Sequence, residues 1–347
     1  MTGADGRFTE TAMRQALANI CEQLGVDDTD VHLLRLTNNA VFALPAAGLV
    51  VRITRTHRLH ARVHKVAALG VWFEEVDAPT IRLAAGIQQP VTDGALLATV
   101  WRYIAPHEPR PHAGDLGVAL RAFHRLGTPS LQLPTWDPIG DARSRLDDAE
   151  GLAEKDRDYL LAWCDRLEPR LQEFAASVEP GLVHGDAHEG NLLRDASGRV
   201  LMCDFDATCI GPWQVDLVPP PANETRFGPT GGHSKLAAAY GYDITQDPSW
   251  PLLQEARELK MIAAAVPLLA SAPGVAEEFQ LRLRSVRIGA SSVRWTAFGD
   301  LSRAAAPDLA ERVRPGRDES RVAMAAMHPQ PHCHQTHKPS TRRILRP

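Results

Sequence analysis

Residues 182–206 constrain this chain more than any other stretch. They begin Leu182-Val183-His184-Gly185-Asp186-Ala187-His188-Glu189-Gly190-Asn191-Leu192-Leu193 and close on Leu201-Met202-Cys203-Asp204-Phe205-Asp206. Apolar residues flank the polar ones, so the polar groups are expected on loops held between short strands. The residue types form a chemical set. A carboxylate at Asp186 can take the proton of a hydroxyl. The amide oxygen of Asn191 and the carboxylate of Asp204 are hard oxygen ligands of the kind Mg²⁺ prefers. Taken singly these are ordinary turn and capping residues; the H-x-D-x-x-x-x-N spacing followed by D-F-D carries the reading.

The rest of the chain has two textures. Thr9 can cap a helix in which Ala12, Ala16, Ile20 and Leu24 recur at helical spacing. Strand-like runs follow at 31–36, 40–44 and 49–53, separated by the turn formers Thr37-Asn38-Asn39 and Pro45-Ala46-Ala47-Gly48. Leu59, Val63, Val66, Phe73 and Val76 mark one face of a helix that Asp77-Ala78-Pro79 ends. Residues 81–83 and 96–104 read as further strands. Beyond Pro106 the pattern turns helical, through Leu116, Leu120, Phe123 and Leu126, then 156–174, then 234–298. Residues 219–227, rich in proline at their start, read as a rigid linker or as the lining of a cleft. The expected class is α+β, with a small β-rich lobe over 1–103 and a larger, mainly helical lobe over 104–325. The polar, basic, Pro-rich segment 326–347 is expected to be a disordered tail.

The segment LVHGDAHEGNLL with MCDFD resembles the aminoglycoside phosphotransferase family, the small-molecule branch of the protein-kinase-like superfamily, which also holds choline, homoserine and macrolide kinases. HGDxHxxN in place of HRDxxxxN favours that branch, as does DF followed by an acid in place of Gly. The resemblance extends in weaker form over residues 33–298. It implies a bilobal protein-kinase-like fold with ATP or GTP as phosphate donor, Mg²⁺, and a hydroxyl of a small molecule as acceptor. It also implies roles. Asp186 would be the catalytic base and Asn191 and Asp204 the metal ligands. His184 would fix the loop by hydrogen bonding, with His188 and Asp206 in support. Asp216, in Gly211-Pro212-Trp213-Gln214-Val215-Asp216-Leu217, is similar to the family's G-x-x-x-x-D-L acid and would brace the catalytic loop. Trp101, Tyr103 and Ile104 would form the hinge at the purine edge, and Asn39, with Thr37 and Asn38, would sit at the nucleotide loop.

The small lobe departs from the usual set. It has no G-x-G-x-x-G and no V-A-I-K, and Leu49-Val50-Val51-Arg52-Ile53 puts Arg52 where the phosphate-binding Lys is expected. Its fixed charge and forked donors suit phosphate oxygens. The helix acid of the usual Lys–Glu pair falls near His64. Either Glu74 or Glu75 therefore partners Arg52, or phosphate alone holds it. These departures keep a second expectation open, a nucleotide-binding regulator without turnover.

Composition removes several other classes. A net charge of −4 and a pI near 6.4 give no electrostatic reason to expect nucleic acid or an anionic membrane as partner. Five scattered cysteines without a C-x-x-C pair fit buried thiols in a reducing compartment. The apolar stretch 261–272 is too short to span a bilayer and is interrupted by Pro267, and no basic, then apolar leader opens the sequence. A cytoplasmic protein, monomeric or homodimeric, is expected. The acceptor is less legible. Asp243, Asp247, Glu255, Glu258, Glu277, Glu278 and Asp300 are expected mostly on solvated helix faces, balanced by Arg257, Arg282, Arg284 and Arg287. No acidic pocket follows, so an antibiotic of the aminoglycoside kind and a choline-, homoserine- or sugar-like metabolite both remain. Gly228, Gly231 and Gly232 suggest a mobile loop. His328, His332, Cys333, His334 and His337 are irregularly spaced and are not read as a metal site.

Overall fold

Thr9 opens the first helix. Its hydroxyl accepts a hydrogen bond from the Ala12 amide at 3.2 Å, and α1 runs Glu10–Leu24 to a left-handed Gly25. Met13, Ala16, Leu17 and Ile20 of α1 bury against a five-stranded antiparallel sheet. Its strands are β1 His32–Leu36, β2 Asn39–Leu44, β3 Leu49–Thr54, β4 Val91–Asp93 and β5 Leu96–Arg102, in the order β1-β2-β3-β5-β4. The period of two sorts β3 by face. Val51 and Ile53 join the α1 core, whereas Val50 and Arg52 line the opposite side, where a cleft lies. The computed structural model describes residues 9–36, 39–54, 60–147, 149–270, 272–298 and 300–301. Thr37, Asn38 and the His-rich segment 326–347 lie outside the described residues.

Helix α2, His60–Glu75, buries Val66, Leu69 and Phe73 in a second core shared with Phe123 and Phe205. The strand expected at 81–83 is not formed. That segment's hydrogen bonds go to two different neighbours, from Ile81 N to Met202 O (2.9 Å) and from Ala84 N to Val100 O (3.0 Å). It bridges single residues of each and runs along neither. Strand β5 also stops at Arg102, one residue beyond which the Tyr103 N–H makes a last in-register bond to Gly48 O (2.8 Å).

The remainder is helical around a small island of strands. Helices α3 Ala113–Phe123, α4 Pro138–Asp147 and α5 Glu154–Ala176 precede the island. In it β6 Gly181–Val183 pairs with β9 Cys209–Gly211, and β7 Leu192–Arg194 with β8 Val200–Met202. Helices α6 Pro219–Phe227, α7 Gly232–Tyr240, α8 Trp250–Ala263 and α9 Pro273–Arg287 follow. Helices α4, α5, α8 and α9 enclose a third core around Trp163, Leu167, Ile262 and Phe279. The α+β class and the division into a strand-rich first part and a helical second part are those the sequence implies.

Three expectations need correction. Residues 219–227 are a helix, not a linker; its prolines occupy the first turn, where no backbone N–H is required. The glycine segment after it is tied down, since the Glu224 carboxylate accepts hydrogen bonds from Thr230 Oγ1 (2.8 Å) and His233 N (3.1 Å). Glu258 and Glu278 are not solvated. Glu258 takes both arms of Arg226 at 2.8 Å, and Glu278 takes Arg282 Nε at 2.9 Å. Both guanidiniums stack on Trp295, 4.5 and 5.1 Å from its ring centre, so these acids hold the helical part together.

Candidate active site

His184 leaves β6 fully buried. Its backbone N–H donates to Asp216 Oδ2 (2.7 Å), and the next N–H, of Gly185, donates to Asp216 Oδ1 (2.8 Å). The His184 ring links the two halves of the motif. Nδ1 accepts from Asp186 N (3.3 Å) and Nε2 lies 3.0 Å from Cys203 O, a pair that the Nε2–H tautomer satisfies. Gly185 is the sole residue type that fits its position. Its φ is +79°, and a Cβ there would stand 2.3 Å from Ala207 O. His124 Nε2 completes the shell of Asp216 at 3.0 Å and turns its other ring nitrogen to the Tyr240 hydroxyl (2.9 Å). Burial works to raise the Asp216 pKa, but the hydrogen bonds from His124 and the His184 amide hold the carboxyl below its ordinary value.

Asp186 projects from this braced loop. Lys260 Nζ is 3.5 Å from its carboxylate and 3.0 Å from Gly185 O. His188 Nε2 is 3.8 Å away and Arg257 Nη1 3.9 Å. Burial opposes ionisation of Asp186, yet Lys260 and Arg257 outweigh it and keep the carboxyl below the usual range. His188 is pushed down, mainly by burial. Asn191 Nδ2 donates to Asp186 O (2.9 Å), which turns the amide oxygen Oδ1 away from that carbonyl.

Asp204 follows β8 in a left-handed conformation, φ +65° and ψ +74°, rare for a residue with a side chain. Phe205 next to it is fully buried, with ring centres 4.7 Å from Phe73 and 5.7 Å from His184. That anchor on α2 fixes the turn that presents Asp204. The Asp204 carboxylate lies 3.5 Å from both Arg35 and Arg52.

The partner of Arg52 differs from all three residues considered for it. Its guanidinium binds Asp206, to which Asn39 Nδ2 also donates at 3.4 Å. Burial resists the Arg52 charge, but Asp206 more than offsets it and raises the pKa. Glu74 pairs instead with Arg102 (2.6 Å) at the surface. From α2 it is Lys65, one residue after His64, that reaches in, donating to Asp206 O (2.6 Å) and Thr208 O (2.8 Å). The charges are therefore arranged in reverse. The helix supplies a cation, and the acid comes from the third residue of D-F-D. Burial lowers the Lys65 pKa to about 8.

These groups meet on two adjoining spaces. A cleft of about 400 Å³ has apolar walls from Val50, Ile81, Leu193 and Phe205 and polar ones from Asn39, Arg52, Asn191 and Asp204, with Trp101, Tyr103 and Ile104 along one edge. A recess of about 310 Å³ shares Arg35, Asn39 and Asp204 with it and reaches Asp186 and Lys260. Among the described residues no cluster of three or more His, Cys, Asp or Glu side chains is placed to hold a metal. Asn191 with Asp204 fits a hard cation that draws its other ligands from phosphate and water, as Mg²⁺ does. Sequence reasoning missed Lys65 and the placement of Arg257 and Lys260. The signal available was cations three apart on α8 among the apolar Leu253, Ala256 and Leu259.

The chain resembles known proteins in family and in fold. A family model described as the phosphotransferase enzyme family matches residues 35–250. No curated protein matches the sequence. Among solved structures, a microcompartment-associated aminopropanol kinase superposes with a TM-score of 0.59 at 19% identity, covering 81% of this chain and 100% of that one. A choline/ethanolamine kinase family protein from Mesorhizobium loti gives 0.55 at 15% identity, with 81% and 99% covered. The GDP complex of an aminoglycoside 2'-phosphotransferase gives 0.53 at 15% identity, with 80% and 98% covered. At these identities the likeness is one of fold.

Proposed function

The chain belongs to the phosphotransferase enzyme family, and on that premise we propose that it moves the γ-phosphate of ATP or GTP to a hydroxyl of a small molecule. In this reading the 400 Å³ cleft takes the nucleotide. Its apolar walls suit a purine, the backbone at Trp101, Tyr103 and Ile104 its edge, and Arg52 and Asn39 the phosphates. Asn191 and Asp204 would hold Mg²⁺, which when bound neutralises charge on the triphosphate. Asp186 takes the acceptor's hydroxyl proton as the acceptor oxygen bonds to the γ-phosphorus. The bond from that phosphorus to the bridging oxygen breaks, and the nucleoside diphosphate leaves. His184, Gly185 and Asp216 hold Asp186 in position, and His188 stands beside it.

The single observation that carries this reading is that Asn191 and Asp186 line two adjoining spaces that share Asp204, itself held at a positive φ. An aminopropanol kinase, a choline/ethanolamine kinase family protein and an aminoglycoside phosphotransferase share the fold. Amino alcohols, sugars and aminoglycoside antibiotics are therefore the starting acceptor classes. No helix among the described residues is long and apolar enough to cross a membrane, and the reading is of a cytoplasmic enzyme, monomeric or homodimeric, with neither nucleic acid nor membrane as partner.

A second reading rests on a specific contact. Arg52 is engaged by both Asp206 and Asp204, an arrangement that suits a nucleotide-binding regulator without turnover. Full-length protein with Mg²⁺-ATP or Mg²⁺-GTP, screened against hydroxylated compounds for acceptor-dependent diphosphate release, separates the two. Multiple turnovers on any acceptor support the enzyme. Nucleotide-induced stabilisation without turnover across the screen supports the regulator.

A further inference from the structure

Resting on that kinase reading, the geometry points to an acceptor that is itself an anion, a hydroxylated carboxylate or phosphate ester whose acid group is held by Arg257 and Lys260. These two cations lie one turn apart on α8, and the only carboxylate within 4.0 Å of either, among the described residues, is Asp186. Two positive charges thus share one negative one, the carboxylate of the proposed base. Arg257 Nε is buried and meets no hydrogen-bond partner, and the same holds for Asn223 Oδ1. Both side chains line a recess of about 330 Å³ with His188, Thr230 and Phe227, whereas Lys260 lines the 310 Å³ recess with Asp186. A buried guanidinium with an unused donor, in one recess with an unused carbonyl acceptor, fits a ligand bearing an oxyanion and a hydroxyl.

Several carboxylates around these recesses already hold hydrogen-bond or ion-pair partners. Asp141 pairs with Arg145 at 3.2 Å, and Asp137 accepts the Gly140 N–H at 2.7 Å. Glu224 is held by Thr230 and His233, and Glu258 by Arg226. Glu189 lies exposed at the rim of the recess. Burial depresses the pKa of both Arg257 and Lys260, with Asp186 opposing it, as expected where counter-charge is short. A bound oxyanion supplies that counter-charge.

The test is a set of compounds matched in skeleton and differing in charge. Glycerate, glycerol 3-phosphate, glycerol and 3-amino-1,2-propanediol form one series. Gluconate, glucose 6-phosphate, glucose and glucosamine form another. Binding of each to the full chain is measured by calorimetry with Mg²⁺ and a non-hydrolysable ATP analogue. In at least one series an acid should bind ten-fold or more tighter than both its neutral and its amino counterpart, and comparing carboxylate with phosphate identifies which oxyanion is preferred. Arg257→Gln and, separately, Lys260→Gln should each cut the acid-to-neutral ratio ten-fold or more. Binding of the analogue reports that each variant is folded. Preference for the amine, equal binding, or no acid bound in either series overturns the inference. So do variants that weaken the ATP analogue and leave the ratio intact, since the two cations would then serve the donor phosphates. Failure of the ATP analogue to bind the unmodified chain at all would count against the kinase reading itself.

Discussion

The carboxylate of Asp216 accepts the backbone N–H of His184 at 2.7 Å across 32 residues of chain, with no solvent access to either group. Through the same carboxylate the Gly185 N–H and the His124 ring are held in one cluster. The position of Asp186 is thus set by a buried acid that stands outside the reacting atoms.

Asp216→Asn should remove this control at one atom. The substituted amide brings an N–H₂ group toward a donor, so a buried mismatch costs about 2–4 kcal/mol of stability. Turnover should fall more than nucleotide affinity, because the nucleotide cleft is lined by other residues. Urea unfolding together with a comparison of kcat and nucleotide Kd checks both statements.

The same residue sets a pH dependence. Its folded pKa is depressed, so the folded state binds its proton less readily than the unfolded chain. The stabilisation is therefore complete above the unfolded carboxylate value, about 3.9, and is lost as pH falls through the folded one. The difference in unfolding free energy between the unmodified chain and Asp216→Asn should be constant from pH 7 to 5 and shrink below pH 4. Denaturant melts at stepped pH read this directly.

Gly185→Ala should separate fold from function. An added Cβ meets Ala207 O at 2.3 Å in a backbone region that L-residues avoid. The loop must shift, moving Asp186. Misplacement of this kind is expected to lower kcat by about 100-fold, or about 3 kcal/mol in the barrier. Circular dichroism should show native helix content.

The assignment of Asp206 as partner of Arg52 is tested by a double-mutant cycle. Arg52→Gln and Asp206→Asn should couple by about 1–3 kcal/mol in stability, as groups in direct contact do. Arg52→Gln and Glu74→Gln should be additive, since Glu74 belongs to Arg102. Arg52→Gln should also weaken nucleotide binding by about 10–100-fold, the range for losing a charged phosphate contact.

The sequence made much of this legible, for physical reasons. Spacing within a short segment is a local property, so Asp186, Asn191 and Asp204 could be singled out before any fold was known. The resemblance likewise put Arg52 at the position of the phosphate-binding cation. What was not legible depends on contacts between distant elements. The α2 residue entering the site is Lys65 and not His64, because its Nζ finds the carbonyls of Asp206 and Thr208, more than 140 residues away. Glu258 and Glu278 read as surface acids because nothing local announces that Arg226, Arg282 and Trp295 enclose them. The stretch 81–83 has the composition of a strand yet divides its hydrogen bonds between two neighbours.

The central claim is that Asp186 is the base in transfer of a γ-phosphate. Its most direct test is a single-turnover experiment with γ-labelled ATP, Mg²⁺ and whichever acceptor the screen yields, comparing the unmodified chain with Asp186→Asn. The expected result is label on the acceptor hydroxyl in the unmodified protein and a rate lowered by about 1,000-fold or more in the variant, with nucleotide binding retained. Transfer at an unchanged rate in Asp186→Asn would contradict it.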